Sequence, residues 1–596
     1  MLADINERAN MEGQKSPIRI AVPKIQQSKL SFCDGSLDGF EAWTNSLPMA
    51  NTGAAAKLLF QASRELNVTR IPPIKRYKML EIIRNAIYDI CEVLNKRILS
   101  QSIKLGESDL KVFTLAQTLQ NQLAIGYKHI VLDEIAQGPG KETKALTFAI
   151  HRAIADLSQT ILRAYQLYSP APANAWLELH QLYGLAEAKR IHEYSVKDNR
   201  GKYVSACSIT DAYVRTLLLG CAKPNQLRQK ELSLLYAATE LWTSLVKVSI
   251  GSDKQSLFIL AQHKDHAPVY RSLIKSLPSG VSRGLNPSNL ATALQKHLNK
   301  ESSGITVPGN LSDALVNHIA NAWGAMVQRS FHRTQHSGQA EIAIGLLACH
   351  YFCAEEKSFP FLLKSWNMDL PEKKKSSKKA SMDVWDQSFD AGGSGFDSDA
   401  IEFDSISFIS KHGDKEEPDT GPKGTAIVSK ILDTSPGGYG IAIDNPPASV
   451  QTGELVVIKE PKMLNWSLGC IRWIRSQKDQ PTQLGIELIA PKAEAIAARI
   501  LNKTGENGEF LRGLRIPALP AAGQDATLVL PIMPFKVGSK AEIMDGIQQQ
   551  KVQLLQRHNT SRSFVQYSYN PLTQLLNKQN QADGGDDEFA SIWDKL

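Results

Sequence analysis

Two short stretches hold the residues with the clearest chemical potential. One is DTSPGGYGIAI, which places Asp433, Ser435, Gly437 and Gly438 in one tight segment. A carboxylate there can accept N–H donors, and a hydroxyl can bridge backbone and ligand. Glycines admit close backbone approach and positive φ. The other is RSFHR, which carries Arg329 and Arg333. A guanidinium is planar, permanently charged and forked, so it suits bidentate pairing with phosphate or a nucleobase edge. Taken singly, neither stretch is diagnostic. D-x-S-x-x-G is a common turn composition, and a pair of cations at a helix end is routine.

Other chemistry is thinly represented. No G-x-x-x-x-G-K-[ST] phosphate loop, H-E-x-x-H metal helix or G-x-S-x-G elbow occurs. His129, His151, His180 and His192 fall on different expected helices and read as structural, and nothing supports catalysis. The cysteines (Cys33, Cys91, Cys207, Cys221, Cys349, Cys353 and Cys470) are dispersed and odd in number, which reads as reduced thiols. Cys349 and Cys353 lack a second pair to complete a zinc site, and no metal is expected. A net charge of +8 over 596 residues is too small for a dedicated nucleic-acid binder. No run is long and apolar enough for a membrane span, and the N-terminus lacks the apolar core of a secretory signal. Cytoplasmic residence is the default expectation.

The elements that position these residues give a multidomain α+β chain. Residues 1–48 read as a mostly disordered arm, with a short apolar segment around Phe40, Trp43 and Leu47. Stripes such as Leu80, Ile83, Ile87, Ile90, Leu94 and Ile98 place an all-α bundle or irregular solenoid at 49–250. Residues 251–324 form a mixed linker region, with SLFILAQH as a strand and a helix over 311–327. QAEIAIGLLACHYFC reads as one long buried strand. The Lys/Ser/Gly/Asp-rich stretch 371–421 is expected to be a disordered insertion. Beyond it the period becomes two, with strands GTAIVSKILD, YGIAIDN, LVVIKE, GCIRWIRS and LGIELIA making a small antiparallel barrel. At 492–570 a helix, KAEAIAARIL, precedes a second β-rich segment, ATLVLPI, KVQLLQRH and RSFVQYSY. Residues 571–596 are a flexible tail in which Phe589 and Trp593 could form a docking peptide.

The order of these pieces resembles the PilZ family. Asp433, Ser435 and Gly438 occupy the defining positions of its D/N-x-S-x-x-G motif, and WSLGCIRWIR and LGIEL follow in the family's strand order. The family also has R-x-x-x-R leading into its first barrel strand. Here no arginine lies between 411 and 432, whereas Arg329 and Arg333 stand directly before TQHSGQAEIAI. The resemblance therefore implies a discontinuous barrel, 325–357 and 422–491, divided by the insertion. Loop closure grows only logarithmically with length, so this division is tolerable.

What the resemblance implies for function is a non-enzymatic bacterial receptor for cyclic di-GMP. Arg329, Arg333, Asp433, Ser435, Gly437 and Gly438 would be its ligand-binding residues. Ligand binding would be relayed to the helical region and to a protein partner, with no nucleic-acid polymer and no membrane insertion. The alternative is a degenerate PilZ-fold scaffold that does not bind the ligand. The two differ in geometry: a receptor needs its arginines within reach of Asp433 and Ser435.

Overall fold

The computed structural model describes residues 18–99, 103–137, 144–251, 256–274, 282–324, 333–366, 419, 421–461, 463–502, 507–518, 524–561 and 563–572. All of the expected insertion but Asp419 and Gly421, the tail with Phe589 and Trp593, and Arg329 lie outside these residues.

Eight helices come first: α1 (Leu37–Asn45), α2 (Thr52–Val68), α3 (Pro73–Leu99), α4 (Glu107–Ala136), α5 (Lys144–Gln166), α6 (Ala175–Ala188), α7 (Ile209–Cys221) and α8 (Gln229–Ala238). A ribbon of β1 (Val196–Lys197) and β2 (Ala206–Cys207) sits between α6 and α7. α3 buries one stripe, Leu80, Ile83, Ile87, Ile90, Leu94 and Ile98, whereas the central α5 is buried on nearly every side. Starts are capped: the Ser36 hydroxyl accepts from Gly39 N–H before α1, and Ser208 and Asp211 form a capping box on α7. The segment expected as a disordered arm is folded from Ile18 onward. Phe40 is fully buried, Ile18 and Leu47 join the same core, and Phe40 packs in tilted contact with Phe32 and Trp43. Three aromatic rings bury enough apolar surface to offset the ordering of this polar stretch.

The region read as a linker is also part of this core. Strands β3 (Lys247–Ile250), β4 (Phe258–Ala261), β5 (Val269–Tyr270) and β6 (Ser282–Asn286) form a sheet in the order β3-β6-β4-β5, followed by α9 (Ser288–Leu298) and α10 (Asp313–Trp323). Phe258, Leu285, Leu294 and Ile319 share the helices' cluster. Trp242 and Trp323 meet edge to face at 6.1 Å. Their indole N–H groups donate to the Thr306 and Leu218 carbonyls at 2.9 and 3.0 Å. The helix expected over 311–327 is shorter, ending at Trp323 with Gly324 as its cap.

All five expected barrel strands form: β8 (Ile427–Ser435), β9 (Gly438–Ile443), β10 (Leu455–Lys459), β11 (Ser467–Arg475) and β12 (Thr482–Ala490). They close with β7 (Thr334–Ile344) in the order β10-β11-β12-β9-β8-β7. The long strand expected over QAEIAIGLLACHYFC stops at Ile344. Gly345, at φ +92°, turns the chain into α11 (Leu346–Cys353), and α12 (Phe359–Ser365) follows. Cys349 and Cys353 therefore stand one helical turn apart, not on one strand face. An unbroken apolar run carries no period that separates a buried strand from a buried helix.

The second β-rich segment is also a closed barrel, in the order β13-β14-β15-β18-β17-β16. Its strands are β13 (Glu494–Ile500), β14 (Leu511–Ile516), β15 (Thr527–Pro531), β16 (Lys540–Met544), β17 (Gln549–Thr560) and β18 (Phe564–Pro571). The helix expected at KAEAIAARIL is in fact β13. Its alanines favour a helix in isolation, but pairing with β14 and β16 and burial of Ile496 and Ala498 override that preference.

Two consequences can be measured. Phe40→Ala should cost about 3–5 kcal/mol in denaturant unfolding of the helical unit, the usual range for a buried Phe; a mobile arm would give almost none. Burial holds His180 at about 4 and His350 at about 3, both neutral in the fold. Their unfolded values are higher, so their contribution is complete above about pH 6.5 and is lost as pH falls toward 4. The unfolding midpoint should fall across that window, and more shallowly in His180→Gln.

Candidate functional site

The barrel surface around Asp433 is assembled by register. β7 pairs antiparallel with β8, setting Thr334 opposite Thr434 and Gln335 opposite Asp433. Arg333, immediately before β7, is thereby delivered to Asp433, and its Nη1 forms an ion pair with Oδ1. The two side chains are 29% and 30% exposed. The pair therefore faces solvent in part and is worth little to stability. The β8–β9 hairpin closes at Ser435 opposite Gly438, with the Ser435 hydroxyl 3.4 Å from the Gly438 carbonyl. The Gly437 carbonyl accepts from Leu488 N–H at 3.0 Å. Gly438 has φ +154°, and a Cβ there would stand 2.0 Å from the Ile486 carbonyl oxygen, so the motif's last glycine lets β9 dock on β12.

The same register lays out a continuous row, Gln335–Asp433–Gly440–Gly485–Trp473, across β7, β8, β9, β12 and β11. Two glycines make its floor. A Cβ at Gly440 would lie 2.7 Å from Asp433 Oδ1, and one at Gly485 only 1.8 Å from Trp473 Nε1. The carboxylate and the indole thus lean over the glycines from opposite sides. The Arg475 guanidinium lies 5.9 Å from the Trp473 ring centre. Tyr439 donates to Glu460 Oε1 at 2.9 Å, and burial with that carboxylate pushes its hydroxyl up to about 12. A guanidinium, a carboxylate and an aromatic face beside a side-chain-free floor can hold a planar, phosphorylated molecule.

Of the residues singled out in the sequence, Arg333, Asp433, Ser435, Gly437 and Gly438 are brought together, and Arg329 lies outside the described residues. Trp473, Gly440 and Gly485 were legible only as parts of strands. Their alignment depends on the pairing of β9, β12 and β11, which no single segment encodes. Among the described residues no group of three or more His, Cys, Asp or Glu is placed to hold a metal. No helix among them is long and apolar enough to cross a membrane.

A closed six-stranded barrel with D-x-S-x-x-G at the β8–β9 turn, and an arginine leading into the strand beside it, defines a PilZ-domain protein. Comparison with known families divides residues 38–572 into three parts. Residues 38–254 match the "Cyclic-di-GMP receptor FimW, N-terminal domain", 257–495 its "middle PilZ domain", and 496–572 the "FimW C-terminal beta-barrel domain". The chain is 32% identical over 610 residues to the cyclic-di-GMP receptor FimW of Pseudomonas aeruginosa (strain PAO1), covering 98% of this chain and 100% of that protein. The chain belongs to the FimW family. No solved structure matches it. The middle match begins at 257, whereas the core packing joins β4, α9 and α10 to the preceding helices.

Gly438→Ala places a methyl group against the Ile486 carbonyl. It should destabilise the protein by about 1–3 kcal/mol, the cost of overpacking, measured as a lower midpoint in urea.

Proposed function

We propose that this chain is a non-enzymatic cytoplasmic receptor for cyclic di-GMP. The observation that carries the reading is the meeting of Arg333 with Asp433 across a hundred residues of sequence. The relative's name, a cyclic-di-GMP receptor, supports it. Arg329, Arg333, Asp433, Ser435, Gly437 and Gly438 form the ligand-binding set, and we add Trp473 as a stacking platform. Because the Arg333–Asp433 pair is partly exposed, the ligand's phosphate can draw the guanidinium away at little cost, leaving Asp433 to accept guanine N–H donors. The scaffold reading would have the arginines aimed away from the motif, and Arg333 is not.

The relay to a protein partner would run through the junction of barrel and helices. Arg228 Nε donates to the Thr452 carbonyl at 3.0 Å, and its Nη2 lies 3.5 Å from the buried Glu454. Ser476 N–H donates to the Tyr168 carbonyl at 3.0 Å, and Ile103 and Tyr168 pack into the barrel's core. A rearrangement at β7 would act on these contacts.

Titration calorimetry with cyclic di-GMP tests the reading. The wild type should bind at micromolar concentration or tighter. Arg333→Ala should weaken binding about 10- to 100-fold, the value of one or two charged hydrogen bonds, and Trp473→Ala more modestly. Absence of wild-type binding at tens of micromolar would return the scaffold reading.

A further inference from the structure

Away from the barrel, α3, α5, α7, α8 and the β1–β2 ribbon line a half-open cavity of about 430 Å³. That volume falls within the range of small-molecule sites. Arg84, Lys96, Arg163, Arg200, Lys202 and Arg215 line it, against three carboxylates, Glu92, Asp198 and Glu240. All three carboxylates are already committed, Glu92 to the neighbouring Lys96 at 3.0 Å. Asp198 lies between Arg84 and Arg152, at 2.8 and 3.2 Å. Glu240 takes Arg215 at 3.0 Å and the Tyr203 N–H at 2.7 Å.

Arg163 has no such partner. It is 3% exposed, and its guanidinium donates only to neutral groups: Asn95 Oδ1 at 2.7 Å, Gln117 Oε1 at 2.9 Å and the Ala116 carbonyl at 3.4 Å. A buried guanidinium without a counterion is costly, and burial holds its pKa below the usual arginine value. Arg84, 4% exposed, leaves its Nε without an acceptor among the described residues, as do Arg200 and Arg215. The arginine planes are held in advance: Arg84 and Arg200 lie on the Tyr88 ring at 4.7 and 5.1 Å, and Arg215 lies on Tyr236 at 4.5 Å. His151 Nε2 meets Cys207 Sγ at 3.1 Å. Burial keeps that histidine at about 3 and the thiol at about 11, so the pair is neutral and adds no charge to the cavity.

We propose that this cavity is a second ligand site, which binds a small organic phosphate through Arg84, Arg163, Arg200 and Arg215. Arg200 also pairs with Asp89 at 2.7 Å, and the two cations that remain in excess match a doubly charged anion better than a monocarboxylate. Forked guanidinium groups match phosphate oxygens bidentately. The cavity lies in the helical unit and shares no residue with the Arg333–Asp433 surface, so the proposal stands or falls independently of the receptor reading.

The test uses the full chain carrying Arg333→Ala, so that the barrel surface does not report. Thermal unfolding is followed with inorganic phosphate, pyrophosphate and adenosine 5′-monophosphate, each against chloride at equal ionic strength. At least one phosphate probe should raise Tm by several degrees at about a hundred times its Kd. Arg163→Met should abolish that rise while leaving the anion-free Tm equal or higher, since it removes an uncompensated buried charge. Arg200→Ala, at the more exposed rim, should diminish the rise and covers the case in which the Met variant does not fold. The proposal is overturned by no rise with any phosphate probe, by an equal rise with chloride, or by a rise that survives both substitutions.

Discussion

The pairing of β7 with strands far downstream is the constraint on which the rest of the molecule depends. β7 hydrogen-bonds to β8 on one side and β10 on the other, and so completes the first barrel from a segment far upstream of the other five strands. Remove it and the order β10-β11-β12-β9-β8 has two open edges, each a template for wrong pairing. The same strand carries Arg333 to Asp433 at its start and α11 to the second barrel at its end. Closure cost grows slowly with loop length, so the intervening chain does not forbid this arrangement. Non-local pairing is nevertheless slow to find, and this strand is a natural late step in folding.

A second constraint is the turn before β10, where three parts of the molecule meet. Arg228 reaches it from the helical unit, and the Ser561 and Ser563 hydroxyls donate to the Gly453 carbonyl from the C-terminal barrel. Glu454, fully enclosed there, has its pKa raised by burial and partly restored by Arg228. A carboxylate held in so little water is sensitive to small displacements of the Arg228 guanidinium, because attraction at low dielectric changes steeply with distance. A shift of the barrel relative to the helices is therefore costly unless it carries Arg228 along. That gives the junction a preferred arrangement rather than a loose hinge.

Much of this was legible in the sequence, for identifiable reasons. Period-two alternation bounded by Gly and Pro marked β8 to β12, and a 3.6-residue stripe marked α3 and α5. Arg333 could be matched to Asp433 because motif order, rather than proximity in sequence, was followed. What escaped notice depended on tertiary context. An alanine-rich segment became β13 because its neighbours buried it, and an apolar run without period was divided by Gly345 into strand and helix. The folded arm owed its order to the fully buried Phe40 and its contacts with Phe32 and Trp43, apolar residues scattered through a polar stretch. Gly440, Gly485 and Trp473 become a row only after three strands are registered. The arginine-lined cavity was invisible because its members come from separate helices and the β1–β2 connection, with no shared spacing.

The strand-to-helix switch at Gly345 also explains how two barrels become one body. A continued strand would have left β7 projecting from the first barrel with nothing to bury. As a helix, α11 places Leu346, Ala348 and Cys349 in a cluster that includes Leu455, Val457 and Leu468 of the first barrel and Leu514, Val529 and Phe564 of the second. His350, fully buried and neutral, donates from Nε2 to the Ile496 carbonyl at 3.2 Å and so fixes the helix to β13. A shared apolar core cannot be parted without exposing both faces to water, a penalty proportional to the area uncovered. The second barrel therefore moves with the first, and any displacement at β7 must be expressed against the helical unit. There the contacts include the Arg228–Glu454 pair, the Ser476–Tyr168 hydrogen bond and the packing of Ile103 and Tyr168 on the barrel core.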